Sequence, residues 1–490
     1  MYKYTSIISL ILLVLAWVYP YHYAPWFVAE NEFFILLIPC FLLLPFIRKK
    51  EFKINEFFIF PLILFFFSFI QYLLLDSYFL EDFILVIIYL FFIILILIIS
   101  EIYKKKEHII LILKTIIFLC LINSIIIIFQ YFNINSIFIL EHTGTKRYYG
   151  NIGQPNHLST LFMMGIASSI LLFNKKIIKI QLLYLISIYL IFFVFLTGSR
   201  TGFLTLLFLA FLGFIFKNKQ SIKFSMNFFG TLILIYFLSN YFFSKNSRNS
   251  VKNFSETIND SRLTLWSDSI SSILVNPWLG YGINGIRTSR LFGNLNFKTP
   301  YVSSHNIFVD LCLWFGIIGG IVLGFYLIIF FIKIIKDKTY GYEILLFLTP
   351  FIIHSLLEYP FRYLYLLIFA IPVLSLSNNF KIYQISRFTF LILFLIYTIS
   401  IYIFYLEFEK YSREAFFAQS QKCEIFESLE PPILMDLMYD YSRLYCNTLT
   451  EHEMRGVIYR YSYPIHIQYY IQNGFYDKNL NKVYQIKLKK

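Results

Sequence analysis

Charged residues are scarce in this 490-residue chain, where they make up 14% of the sequence. Soluble domains carry about 25% charged residues. Apolar residues reach 58% and aromatic residues 21%. This balance excludes an ordinary soluble globule. It also excludes a disordered chain, which needs low hydrophobicity together with high net charge. An integral membrane protein is the class that remains.

Cysteine is also scarce, with five residues scattered along the chain and no CxxC pair. This spacing excludes the usual zinc and thioredoxin-like motifs. Cys423 and Cys446 would be able to form a disulfide if their region lies outside the cytoplasm, and the sequence leaves this open. The acidic residues form no pair with metal-ligand spacing. We therefore expect a metal-independent reaction and no cofactor.

Long apolar runs dominate the sequence instead. A membrane-spanning helix needs about 20 mostly apolar residues, and helices are the default because lipid offers the backbone no hydrogen bonds. The runs lack the alternation of barrel strands. We therefore predict an all-α, polytopic integral membrane protein with about thirteen transmembrane helices. The runs are 5–20, 32–47, 57–75, 83–100, 108–130, 157–173, 180–197, 203–216, 226–243, 306–332, 343–357, 363–377 and 388–405.

Basic residues indicate the orientation of these helices. Nineteen Lys and Arg residues lie in the loops on one side, and four lie in the short loops on the other. Cytoplasmic loops carry the excess of basic residues, so the N-terminus is predicted to be cytoplasmic. Thirteen helices then place the C-terminus outside. The net charge of +14 thus reflects topology, and we expect the lipid bilayer and no nucleic acid as a partner.

Four regions follow from this arrangement. Residues 1–243 hold transmembrane helices 1–9, and residues 306–405 hold helices 10–13. Between them, residues 244–305 form a large outer loop of 62 residues, with seven basic and three acidic side chains. Residues 406–490 form an outer tail of 85 residues. We predict that this tail folds into a small helical domain with no chemistry of its own.

The helix middles are almost free of charge. Transporters typically keep ionisable groups near the midplane of the bilayer, where they bind substrate. Here the unusual polar residues gather at the outer ends of helices. This pattern favours a membrane enzyme that works at the outer face. The polar clusters lie within 148–159, 197–202, 261–306 and 354–363.

Three arginines and one histidine are the main candidates for chemistry. A guanidinium group suits phosphate oxygens, so Arg200, Arg262 and Arg287 are candidates for a pyrophosphate pocket. Arg262 begins a predicted amphipathic helix, 261–275, that lies along the membrane. His305 opens a helix and suits proton transfer near neutral pH. Simpler readings stay open, because a single interfacial arginine is often an anchor and a lone histidine is often structural.

The clusters at 148–159 and 354–363 supply neutral and acidic side chains. Gln154 and His157 are predicted to form a polar floor, with Asn156 capping the helix that follows. Glu358 is predicted to hold an arginine or to orient His305. The alternatives are a simple helix entry for the first cluster and an interfacial turn with an aromatic belt for the second.

The ordered set of these motifs resembles the O-antigen ligase and polymerase superfamily. The motifs that carry the resemblance are 198–202 (GSRTG), Arg262 ahead of Trp266, 276–282 (NPWLGYG), and His305-Asn306 ahead of 316–319 (GIIG). Further segments are similar to the bacterial protein O-oligosaccharyltransferases that glycosylate pilins. These are 150–157 (GNIGQPNH), 354–360 (HSLLEYP), and 22–26 (HYAPW) with Glu30 or Glu32 as a likeness to the first outer loop.

This resemblance implies a GT-C-type glycosyltransferase in the bacterial inner membrane, with a periplasmic active site. The donor would be an oligosaccharide on undecaprenyl pyrophosphate, and the acceptor a Ser or Thr of a periplasmic protein such as pilin. Arg200 and Arg262 would bind the pyrophosphate, and His305 would act as a base or orient the acceptor. Gln154 and Tyr359 would line the site.

Two alternatives stay open at this point. Within the superfamily, the chain would be an O-antigen ligase that transfers to the lipid A core, or an O-antigen polymerase. Segments 150–157 and 354–360 argue against that reading. Outside the superfamily, it would be a transporter of lipid-linked glycans, and the uncharged helix middles argue against that one.

Overall fold

The computed structural model describes most of the helical part of the chain. The described residues are 2–22, 28–75, 80–142, 147–215, 228–238, 261–283 and 302–410, with single positions within 286–289 and short pieces within 432–454. Most of the predicted outer tail lies outside them. Arg287, Cys423 and Cys446 also lie outside the described residues, so the predictions made for these three stay untested.

Helices make up most of the described chain. In chain order they are α1 (Tyr2–Val18), α2 (Ala29–Leu43), α3 (Ile59–Leu74), α4 (Leu80–Ile102), α5 (Lys106–Tyr131), α6 (Pro155–Asn174), α7 (Ile180–Leu196), α8 (Arg200–Ile215), α9 (Phe228–Leu238), α10 (Ser261–Val275), α11 (Ile307–Ile335), α12 (Gly341–Leu357), α13 (Leu364–Leu374) and α14 (Arg387–Lys410). Two short strands, β1 (Glu51–Asn55) and β2 (Ile382–Ser386), accompany them.

Among the described residues, seven helical segments are long and apolar enough to cross a membrane. They are Ala29–Phe46, Glu56–Leu74, Leu80–Ile102, Lys106–Tyr131, Pro155–Asn174, Ile307–Ile335 and Arg387–Lys410. Every other predicted run coincides with a shorter apolar helix. The mostly helical, polytopic membrane architecture is therefore confirmed. The count of thirteen spans stays a prediction, because the shorter helices do not reach the length of a span by themselves.

The two strands correct the expectation of an all-α protein. They pair antiparallel, with Glu51 opposite Ser386 and Asn55 opposite Ile382. In β1, Phe52 is buried while Glu51 and Lys53 on either side are exposed, which is the alternation of a strand with one covered face. A segment this short does not predict a strand by itself, because it is stable only when it pairs with a distant segment.

Helix α6 lies at the centre of the bundle and packs against α5, α7, α8 and α12. Gly165 lets its neighbours approach closely, since a Cβ there would lie 2.6 Å from the Cys120 sulfur and 2.8 Å from a Leu190 methyl. Nearly every side chain of α6 is buried. The N-terminus of α6 is thereby held in a fixed place, and it carries the polar cluster 148–159.

Two glycines attach the segment that follows α10 to α11. Helix α11 is interrupted at Gly316, which has φ +72°, and Gly280 in the loop has φ +67°. Backbone hydrogen bonds join the two segments: Tyr281 N donates to Leu313 O at 2.9 Å, and Ile317 N donates to Pro277 O at 2.7 Å. A Cβ at either glycine would lie under 3.0 Å from the facing backbone. This contact fixes α10 against the start of α11.

Candidate functional site

Glu358 is the centre of a polar cluster at one end of the bundle. It follows the last residue of α12 and is 4% exposed. Its Oε1 accepts hydrogen bonds from Arg262 Nη2 and, at 2.9 Å, from Asn156 Nδ2. Its Oε2 is bonded to His305 Nδ1. The sequence predicted that Glu358 would hold an arginine or orient His305, and the structure shows both contacts.

These partners keep the buried carboxyl of Glu358 ionised. Burial raises its pKa, but the hydrogen bond and charge of His305, together with the charge of Arg262, lower it more, so the net pKa lies below the usual value. An ionised carboxylate accepts the Nδ1 proton of the imidazole. The neutral form of His305 therefore carries its proton on Nδ1, and its basic lone pair is on Nε2.

The turn that carries His305 is anchored by a buried aspartate of α11. Asp310 accepts hydrogen bonds from the Ser303 hydroxyl and, at 2.7 Å, from Ser304 N. The Ser303 oxygen in turn accepts from His305 N at 3.0 Å. His305 has φ +61°, a left-handed conformation that L-residues rarely adopt. Asp310 thus stabilises the unusual backbone that directs His305 at Glu358.

Helix α10 contributes Arg262 and is joined to the same turn. Its observed bounds agree with the predicted amphipathic helix 261–275. Trp266, one turn after Arg262, donates through its indole nitrogen to Ser304 O at 2.8 Å. Arg262 and His305 therefore reach Glu358 from two elements that are fixed to each other.

Arg147 is a site residue that sequence reasoning missed. Its Nη2 donates to Asn156 Oδ1 at 2.6 Å, and its Nε donates to Thr197 O at 2.9 Å. It therefore links the N-terminus of α6 to the tight turn before α8. Gly198 in that turn has φ +58°, and a Cβ there would lie 3.2 Å from Arg147 Cγ. The available signal is the position of this basic residue directly ahead of the cluster 148–159.

Arg147 lies close enough to two further arginines and to Glu358 to sense their charges. Burial lowers the pKa of Arg147, and the nearby charges of Arg200 and Arg262 lower it further, while Glu358 opposes them. Arg200 begins α8 and is exposed. The arginines outnumber the acids Glu358 and Asp310 in this region, and such a surplus favours binding of an anion. Guanidinium groups offer several donors in a plane, which suits phosphate oxygens.

The remaining predicted residues lie beside or beneath this cluster. Gln154, not Asn156, caps α6, since its Oε1 accepts from Asn156 N at 2.6 Å. His157 is 1% exposed, and its Nδ1 is hydrogen-bonded to Tyr365 Oη at 2.6 Å. The Tyr359 ring packs edge-on against His305, with 5.0 Å between centroids. His157 is thus a buried support, whereas Tyr359 directly contacts the histidine of the cluster.

Segments that are far apart in the sequence meet here. His22 Nε2 is hydrogen-bonded to Asn151 O at 2.7 Å, and His354 Nδ1 to Thr160 Oγ1 at 2.6 Å. Glu32 begins the predicted apolar run 32–47, and the structure places it in α2, where it is buried. Both of its carboxylate oxygens lie 3.0 Å from Leu364 N, at the start of α13. Its role in the structure is to cap that helix.

Within the described part of the chain, His, Cys, Asp and Glu side chains form no group of three or more that is able to hold a metal ion. The metal-independent reaction stays a prediction.

Two segments of the chain match known protein-family models. Residues 185–324 match the model of the O-antigen ligase family, and residues 149–173 match a protein glycosylation ligase model. The first match contains Arg200, Arg262 and His305, and the second contains Asn156. The fold is that of a mostly helical membrane protein, and its residues 185–324 are similar to the O-antigen ligase family.

Two curated proteins of Acinetobacter baylyi are similar to this chain. The ComP-specific O-oligosaccharyltransferase is 28% identical over 290 residues, which cover 55% of this chain and 51% of that protein. The general O-oligosaccharyltransferase is 26% identical over 271 residues, which cover 52% and 47%. The chain spans about half the length of the curated relatives it matches. The resemblance to protein O-oligosaccharyltransferases within the O-antigen ligase superfamily is confirmed.

Proposed function

We propose that this protein transfers an oligosaccharide en bloc from undecaprenyl pyrophosphate to a Ser or Thr of periplasmic proteins such as pilin. The observation that carries the proposal is the buried Glu358, which holds side by side Arg262 and His305, two residues of the matched segment 185–324. The reaction needs a group that binds a pyrophosphate and a group that accepts a hydroxyl proton, and these two side chains supply them.

Arg200 and Arg262 bind the pyrophosphate of the donor in this proposal, and Arg287 is a third candidate. When the glycosidic bond breaks, negative charge develops on the pyrophosphate oxygen that leaves. Guanidinium groups positioned in advance stabilise that charge more in the transition state than in the ground state. Arg147, which is held between Asn156 and Thr197, adds positive charge from the side of α6.

His305 acts as the general base. Its Nε2 takes the proton of the acceptor hydroxyl while the hydroxyl oxygen attacks the anomeric carbon of the glycan. The bond from that carbon to the pyrophosphate oxygen breaks, and its electron pair leaves with the pyrophosphate. Glu358 stabilises the imidazolium through Nδ1, in the manner of the carboxylate of a catalytic triad. No metal takes part in this scheme.

Gln154, His157 and Tyr359 complete the proposed substrate site. Gln154 and His157 hold the N-terminus of α6, and Tyr359 covers one edge of His305. The site lies at the periplasmic face of the bacterial inner membrane, in a GT-C-type arrangement of thirteen helices. The N-terminus is cytoplasmic and the C-terminus periplasmic, as the distribution of basic residues predicts.

A second candidate function is transfer of O-antigen to the lipid A core. The observation in its favour is the match of residues 185–324 to the O-antigen ligase family. The match of residues 149–173 to a protein glycosylation ligase model favours a protein acceptor, and so do the names of both relatives. The two functions differ only in the acceptor and use the same donor chemistry.

Intact-mass spectrometry of envelope proteins tests the proposal. We expect a glycan mass on at least one protein in the wild type, and its loss in both a deletion strain and a His305→Ala strain. Exposed Lys338 lies at the other end of the bundle, so Lys338→Ala is the control for accumulation in the membrane. Retention of the glycan on protein in the His305→Ala strain would contradict the role of His305 as general base. A change in lipopolysaccharide alone would favour the second function.

A further inference from the structure

A cavity opens at the end of the bundle opposite Glu358. Lys175 follows the last residue of α6, and Glu343 lies in the first turn of α12. Asn156 and Glu358 stand at the other ends of the same two helices. Helix α6 has 20 residues, a length of about 30 Å, which is also the thickness of the hydrocarbon core. The cavity therefore faces the leaflet opposite the proposed active site.

The walls of this cavity are almost entirely apolar. Its volume is about 190 Å³. An apolar cavity of about 150 Å³ already accepts a benzene ring, so there is room here for part of a lipid chain. Its wall residues include Leu13, Ile38, Ile99, Phe347, Phe369 and Val373.

The cavity reaches the lipid-facing surface through α5. Leu111 and Ile112 line it, and they are 44% and 37% exposed, respectively. Both lie on a helix long and apolar enough to span the membrane. A lipid chain is therefore able to enter sideways from the bilayer without passing through water.

One end of the cavity is polar and basic. Lys104, His108 and Lys175 line it there, together with one acid, Glu343. Lys175 Nζ lies 2.8 Å from Glu343 Oε2, and Lys104 Nζ lies 4.0 Å from Glu101 Oε2. The two loops that carry these lysines, 101–107 and 175–179, hold six lysines and two glutamates. Positive charge therefore remains in this region after the two ion pairs are taken into account.

A buried hydroxyl gives a second indication of a ligand. Ser6 lines the cavity, and its Oγ is buried without a hydrogen-bond partner in the structure. A buried polar atom without a partner costs free energy unless a ligand or water supplies one. An ester or phosphate oxygen of a lipid headgroup is a suitable acceptor for this hydroxyl.

We propose that this cavity binds an anionic glycerophospholipid from the leaflet opposite the active site. One acyl chain lies between α1, α5 and α13, and the phosphate lies at Lys104 and Lys175. Basic pockets between transmembrane helices on the cytoplasmic side commonly recognise anionic headgroups. The side on which the cavity lies is the one that the basic loops assign to the cytoplasm. The proposal does not depend on which acceptor the enzyme glycosylates.

Native mass spectrometry of the purified full-length chain tests this site. The protein is reconstituted in nanodiscs with equal phosphatidylglycerol and phosphatidylcholine of the same acyl chains. We expect phosphatidylglycerol to be retained at least several-fold over phosphatidylcholine. The double variant Lys104→Gln/Lys175→Gln is expected to lose this preference, and Val373→Phe, which fills the cavity, to lose the bound lipid. Lys105→Gln and Lys176→Gln are matched controls on the same loops and are expected to retain it.

Three outcomes would overturn the proposal. The first is equal retention of the two lipids by the wild type. The second is an unchanged preference in the double lysine variant when it accumulates at the wild-type level, which keeps the test valid even if Val373→Phe fails to fold. The third is preferential retention of undecaprenyl phosphate when it is added to the same mixture, because the occupant would then be a prenyl lipid.

Discussion

Glu358 and His305 are joined by a hydrogen bond between Oε2 and Nδ1, although 53 residues separate them in the chain. His305 precedes α11 and Glu358 follows α12, so the antiparallel packing of these two helices brings them together. Arg262 reaches the same carboxylate from α10. One buried acid thus sets the relative positions of the two groups that we assign to catalysis.

Replacement of Glu358 by glutamine tests the role of its charge, because the two side chains have nearly the same shape. Glu358→Gln removes the negative charge that Arg262 and His305 share and offers one carbonyl oxygen in place of two carboxylate oxygens. Because small displacements at a reacting centre cost about 100-fold in rate, we expect kcat for glycan transfer to fall by about that factor. The measurement is transfer to a purified acceptor by variants of equal membrane abundance. Glu107→Gln, at an exposed position on α5, is the control and is expected to keep wild-type activity.

The pH dependence of stability has a defined sign at Glu358. Its folded-state pKa lies below the ordinary value of 4.5, so its pairing stabilises the protein above the unfolded-state pKa. This stabilisation is lost as the pH falls through the lowered folded-state pKa. Thermal unfolding of the wild type should therefore lose stability on acidification below about pH 4.5 to a greater extent than Glu358→Gln. Parallel pH curves for the two proteins would contradict the assignment of the ion pair.

Arg147 provides a test of the link between α6 and the turn before α8. Arg147→Lys keeps the charge but loses the fork that reaches both Asn156 and Thr197. A hydrogen bond from a charged group contributes about 1.5–3 kcal/mol, so we expect transfer activity to fall roughly tenfold or more. Arg48→Lys, at an exposed position of the basic side, should leave activity unchanged. Full activity in Arg147→Lys would show that positive charge alone is sufficient at this position.

Gly316 tests the attachment of the segment that follows α10 to α11. Its φ of +72° and ψ of 179° are accessible almost only to glycine, and a Cβ would lie 2.4 Å from Trp278 O. We expect Gly316→Ala to destabilise the protein by about 1–3 kcal/mol or more, which is measurable as a lower unfolding temperature. Gly230→Ala is the matched control, since a Cβ at Gly230 has nothing within 4 Å. Equal unfolding temperatures for the two variants would show that the backbone contact is unimportant.

Asp310 tests whether the turn positions His305 for catalysis. Asp310→Asn leaves one oxygen to accept from both Ser303 and Ser304, so the turn loses one of its two anchors. We expect kcat to fall about 100-fold by displacement of the histidine, with KM for the donor little changed. Asp337→Asn is the control, because Asp337 is a buried aspartate that caps a turn on the opposite side. A role in folding alone would instead lower the abundance of both variants and leave kcat unchanged.

The amino-acid sequence predicted much of the architecture without any tertiary information. Each predicted run coincides with an apolar helix, and the amphipathic helix at 261–275 was predicted with its bounds. These features depend on local composition and periodicity, because apolar segments are buried in lipid. Both properties are visible within a short stretch of sequence. The short ribbon of β1 and β2 was missed because its strands are 327 residues apart at their nearest ends, Asn55 and Ile382, and only their pairing gives them stability.

The candidate site was only partly readable from the sequence. Residue type singled out Arg200, Arg262, His305 and Glu358, because guanidinium, imidazole and carboxylate groups are rare in an apolar chain and each has a characteristic chemistry. The sequence left open whether Glu358 contacts an arginine, His305 or both. The roles of Asp310 and Arg147 were decided by the tertiary structure, since each acts through hydrogen bonds to groups positioned by other parts of the fold. Composition therefore determined the membrane class, whereas packing of distant helices decided which charges share one buried acid.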